Sequence, residues 1–73
     1  MSAQKIIQWI SEDLNINTAS VSSTVSMLGQ GDTVPFISRY RKEKTGNLTE
    51  TEVRNVADKL QYYIEIETRK ETV

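Results

Sequence analysis

The run Leu48-Thr49-Glu50-Thr51-Glu52-Val53 spells out the start of a helix. Thr49 and Glu52 have the spacing of a capping box, in which each side chain satisfies the other residue's backbone N–H, while Leu48 and Val53 are placed to staple the incoming chain. Val53, Val56, Ala57, Leu60 and Ile64 continue as one apolar stripe with Tyr63 on its flank, and Glu50 and Glu52 set negative charge where the helix dipole favours it. In a chain of 73 residues, a helix of this length dictates the rest of the fold. The other segments must be short elements gathered around its first half, and a chain this small buries only about 60% of the surface it exposes when unfolded.

Three such elements precede it. Ser2 is placed to cap a helix over residues 3 to 14, where Ala3, Ile6, Ile7, Ile10 and Leu14 form an apolar stripe with Trp9 at its edge. Asn15 and Asn17 break that pattern, and Thr18 can cap a second helix whose inward positions are Val21, Val25 and Leu28, with Met27 alongside. Ser20, Ser22, Ser23, Thr24 and Ser26 are weak helix formers, so packing must hold this second helix. Gly29-Gln30-Gly31-Asp32-Thr33 makes a stop and a turn, and Pro35 suits the first turn of a third helix running to about Lys44 and closed by Gly46. Within it, Phe36, Ile37 and Tyr40 group at one-turn spacing, which predicts a buried Tyr40. The expected fold is all-α, with four helices and a helix-turn-helix-like arrangement of the second and third.

The late part of the fourth helix differs from its start. Tyr62 lies nearly opposite the first stripe, and Ile66 and Val73 fall between the two, so apolar groups stand on more than one face. Arg69-Lys70-Glu71-Thr72-Val73 contains no Gly, Asn or Pro to stop the helix. Both features predict that the chain is the N-terminal piece of something longer, or that it dimerises through this helix. Tyr62, Ile66 and Val73 are the candidate docking residues.

Composition narrows the chemistry. With no Cys and no His, thiolate metal sites, disulfides and the familiar nucleophile–His pairs have no residues to be built from. The seven Ser and eight Thr have no obvious base beside them, and the carboxylates are helix-start residues or scattered over polar faces. No catalytic, metal or cofactor residue is expected, and the chain is read as a non-enzyme. The absence of a long apolar run or a signal-peptide stretch predicts a cytoplasmic protein with no membrane partner.

The formal net charge of −1 hides an uneven distribution. Residues 1–35 and 49–73 are each net acidic, whereas Arg39, Arg41, Lys42 and Lys44 face only Glu43 between residues 36 and 48. Arg and Lys neutralise phosphates and release condensed counterions, and an aromatic side chain among them can stack on an unpaired base. These four cations are the candidate nucleic-acid contacts. The same cluster also fits a solvated face, cations set against their own helix's negative end, or salt bridges to Glu50 or Glu52. As a recognition helix the segment is poor, since it offers one or two outward Arg and no outward Asn or Gln.

The stretch from Thr33 to Glu50, TVPFISRYRKEKTGNLTE, closely resembles the signature near the N-terminus of the Tex family, bacterial transcription accessory proteins. The likeness extends over nearly the whole chain, from the Ile6–Leu14 stripe to the long last helix. It implies a multidomain parent: this helical region, a nuclease-like domain usually considered inactive, a helix-hairpin-helix segment, and a C-terminal OB-fold domain that principally binds RNA. The partners it implies are RNA rather than DNA, held mainly by domains outside these 73 residues, and the remaining domains of the same chain. Two functions therefore stand open for this segment: a scaffold with non-specific phosphate contact, or a pure docking module that touches protein alone.

Overall fold

The computed structural model describes residues 3–72, and the side chains of residues 4–67. The described residues form five helices and no strand: α1 (Ala3–Leu14), α2 (Thr18–Gly29), α3 (Val34–Tyr40), α4 (Lys42–Thr45) and α5 (Glu50–Thr72). Helix α5 is the spine, with α1, α2 and α3 laid against it and α4 seated on α2. The cap expected at Ser2 and the docking position Val73 lie outside the described residues.

The predicted start of α5 is present in full. Glu52 Oε1 accepts from the Thr49 amide at 2.9 Å, Thr49 Oγ1 accepts from the Glu52 amide at 3.2 Å, and Leu48 and Val53 are both buried in one cluster. The second helix is capped one residue earlier than expected: Asn17, not Thr18, is the N-cap, its side-chain oxygen accepting from the Ala19 amide at 2.8 Å. Asn allows this because its short amide reaches the second helical N–H from an extended backbone.

Three helices end on a residue with positive φ followed by a backward amide bond. Asn15 (φ 55) precedes the Ile16 amide donating to Ser11, Gly31 (φ 101) precedes Asp32 donating to Met27, and Gly46 (φ 72) precedes Asn47 donating to Lys42. This is the Schellman closure, which satisfies carbonyls the last turn would otherwise orphan.

Two apolar clusters sit on α5. Ile6, Ile10, Val21 and Val56 form one, bordered by Trp9, Ile16 and Tyr63; Met27, Ile37, Leu48 and Val53 form the other, with Ile16 touching both. The buried stripe of α2 is Val21, Thr24 and Met27, with Val25 and Leu28 only partly covered, a turn of the helix relative to the expected inward face. Thr24 tolerates full burial because its hydroxyl donates to the Ser20 carbonyl at 2.8 Å.

The third predicted helix is two. α3 stops at Tyr40, Arg41 takes a non-helical backbone (φ −125, ψ 25), and α4 adds a single turn before Gly46. The expected burial of Tyr40 is overturned: it is 67% exposed. Val34, Ile37 and Ser38, at i, i+3 and i+4, are the residues that α3 turns inward, Ile37 into the second cluster, and Phe36 and Tyr40 lie on the neighbouring flank. Seven residues offer one inward stripe, and the aliphatic pair occupies it.

Candidate nucleic-acid interface

The four predicted cations sit on the α3–α4 corner: Arg39 in the last turn of α3, Arg41 at the break, Lys42 and Lys44 in α4. All four are exposed. The alternative of salt bridges to Glu50 or Glu52 is not realised among the described residues. Glu50 pairs with Arg54 one turn along its own helix at 3.5 Å, and Glu52 is engaged in the capping box. Among the described residues, no carboxylate is in salt-bridge contact with any of the four. Arg39 lies where the α3 dipole favours a cation, but α4 is a single turn with little dipole for its lysines to answer.

Aromatic groups stand among these charges. The Phe36 and Tyr40 rings meet at 5.3 Å between centroids with a 47° tilt, and the Arg41 guanidinium carbon lies 5.0 Å from the Phe36 centroid. Phe36 is thus flanked by a phenol and a cation. That distance is within the range of cation–π attraction.

Behind the corner is a polar cleft of about 540 Å³. Ser22, Ser23 and Ser26 of α2 form one wall, Arg41 and Lys44 the other, and Asp32 is the sole carboxylate lining it. Sequence reasoning takes those serines as poor helix formers and misses the wall. The signal was available: positions 22, 23 and 26 share one face of a helix. Hydroxyl donors opposite two cations suit an anionic ligand such as a phosphodiester.

The candidate docking residues are not brought to this corner. Tyr62 is 55% exposed on α5, its ring edge-on to Tyr63 at 5.3 Å between centroids, with the Lys59 ammonium 5.8 Å from its centroid. Ile66 is half-buried and belongs to neither apolar cluster. The Tyr63 ring meets Trp9 of α1 at 5.1 Å between centroids with a 47° tilt, and its hydroxyl donates to Asp13, which also pairs with Lys59 at 3.8 Å. Among the described residues no group of three or more His, Cys, Asp or Glu is arranged to hold a metal, and no helix is long and apolar enough to cross a membrane.

The family model of the Tex-like protein N-terminal domain matches residues 4–73. An uncharacterised protein of Neisseria meningitidis serogroup A is 47% identical over 68 residues, which is 93% of this chain and 9% of that protein. The transcriptional accessory protein Tex of Neisseria gonorrhoeae is 44% identical over 68 residues, again 93% of this chain and 9% of its own length. A protein of Pongo abelii named S1 RNA-binding domain-containing protein 1 is 38% identical over 56 residues, 77% of this chain and 6% of that protein. The chain spans less than a tenth of the length of these relatives.

Proposed function

The chain belongs to the Tex-like N-terminal domain family, and from that premise we propose that it is the helical module of an RNA-binding transcription accessory protein, a cytoplasmic non-enzyme whose α3–α4 corner contacts phosphates without reading sequence. The observation that carries this reading is the corner itself: Arg39, Arg41, Lys42 and Lys44 are exposed and free of salt bridges among the described residues. Unpaired surface cations keep their full hydration and counterions until a polyanion displaces them, which is the source of non-specific affinity. RNA is preferred over DNA on the name of one relative, an S1 RNA-binding domain-containing protein. In this reading the cations assist a contact made mainly by other domains of a longer chain.

The test is a titration of fluorescent single-stranded RNA at low and at physiological salt, with a variant carrying Arg39→Ala, Arg41→Ala, Lys42→Ala and Lys44→Ala beside the wild type. Binding should be weak, and log K should fall against log salt with a slope of about −0.7 per phosphate contacted. Equal affinity of the variant, or no binding at low salt, overturns the reading.

A second reading rests on a different observation. Tyr62 places an aromatic ring in solvent on the long helix, close to the half-buried Ile66, and such a face suits another domain of the parent chain or a second copy. On this reading the module docks on protein alone, and the cations are a solvated surface.

A further inference from the structure

We propose that Tyr40, backed by Phe36, whose ring also carries the Arg41 guanidinium, is a stacking platform for an unpaired nucleobase, so that the ligand of the α3–α4 corner is single-stranded nucleic acid and not duplex. This rests on the phosphate-contact reading and names the ligand class of that same site.

Helix α3, seven residues long, has one inward stripe. The helix buries Ile37 and Ser38 and leaves its largest side chain, Tyr40, 67% exposed in the one segment of net positive charge. A lone exposed tyrosine is ordinary. This one is held: the Phe36 ring meets it at 5.3 Å, so the phenol has a partner on one side and solvent on the other. An aromatic group restrained on a surface offers a π-face at little entropic cost, and every base has a face to lay on it.

Arg41 links the Phe36–Tyr40 pair, through Phe36, to the anion-binding groups. Its guanidinium lies over Phe36 and it also lines the serine-walled cleft with Lys44. A base on Tyr40 and the phosphates beside it would therefore meet neighbouring groups of one surface. A duplex cannot use this arrangement, because its bases are paired and stacked on one another. Nor does α3 suit a major groove, being seven residues, about 10 Å long, with no outward Asn or Gln to read base edges.

The experiment uses three labelled probes of about ten nucleotides: oligouridine, an abasic strand of equal length, and a duplex. They are titrated against the wild type, Tyr40→Ala, Tyr40→Phe and the four-cation variant, with circular dichroism to show that each is folded. Tyr40→Ala should weaken oligouridine binding by about 5- to 160-fold, the range for loss of one base stack. Its salt slope and its affinity for the abasic strand should match the wild type, and Tyr40→Phe should retain oligouridine binding. If Tyr40→Ala binds oligouridine like the wild type, or the duplex binds as tightly as the single strand, the platform is wrong; loss in the four-cation variant would then leave the phosphate contact standing. Wild-type protein that binds none of the three probes overturns both.

Discussion

The hydroxyl of Tyr63, on α5, donates a hydrogen bond to the carboxylate of Asp13, at the end of α1. A carboxylate in the last turn of a helix is set against the negative end of the dipole, and Tyr63 together with Lys59 offsets that repulsion from the neighbouring helix. The pair joins residues fifty positions apart in sequence. It is a latch between the first helix and the last.

The latch makes one contribution to stability depend on alkaline pH. Its hydrogen bond to Asp13, then burial and the Asp13 charge, push the Tyr63 phenol from 10.0 up to about 12. Between those values the folded state keeps a proton that the unfolded state has released, so the contribution is complete below pH 10 and is lost as pH rises toward 12. Tyr63→Phe should melt below the wild type at neutral pH, with a gap that closes through this window. A gap independent of pH in thermal melts would show that the latch does not act.

The glycines should separate cleanly under substitution by alanine. Gly46 has φ 72, and a Cβ there would stand 2.8 Å from Ser20 Oγ; Gly46→Ala should cost at least the roughly 1–2 kcal/mol of a left-handed L-residue. Gly31, at φ 101, has open space around it, so its alanine variant should bear the backbone strain without the clash. Gly29 is the last residue of α2 with nothing near it, and Gly29→Ala should stabilise, by less than the roughly 0.5–1 kcal/mol of a mid-helix glycine. Urea midpoints ranking in any other order would refute the assignment.

Thr45 is fully buried in the last turn of α4, donating to the Lys42 carbonyl at 3.1 Å and accepting from the Leu48 amide at 3.3 Å. Thr45→Val keeps the shape and strands the Leu48 N–H in the core, a loss of about 1–3 kcal/mol. Thr45→Ser retains the oxygen and should lose less by urea denaturation. Equal losses would assign Thr45 to packing alone.

Tyr62 separates the docking reading from the scaffold alone. Being exposed, Tyr62→Ser should change the stability of this chain by no more than about 0.5 kcal/mol, and in a chain extended beyond residue 73 it should lower the melting temperature further. Sedimentation of the isolated chain should show any self-association reduced by the same change. If the extended chain and the isolated one respond alike, that face covers nothing.

The helices were legible where the signal is local. The capping box at Thr49 and Glu52, the proline of the third helix and the glycine stop at Gly46 each act within a few residues, and each is where the pattern put it. Tyr40 was not legible. Whether α3 turns Phe36 and Tyr40 or Val34 and Ile37 inward is decided by which helix lies opposite, and local spacing supports either. The break at Arg41 was hidden likewise, since neither Pro nor Gly marks it. The four cations were found by charge alone, but the serine wall facing them depends on the packing of α4 against α2.

Helix α5 runs from Glu50 to Thr72 with neither Gly nor Pro; the second apolar cluster holds it at Val53, and the first holds it from Val56 through Leu60 and Tyr63 to Ile64. Kinks arise at such residues or at inserted groups, so the helix behaves as a stiff lever. From Val53 to Ile66 the arm is about 20 Å long. Because α3 packs directly on α5, anything that seated on the Tyr62–Ile66 end would be held at a set distance and direction from the Arg41 corner.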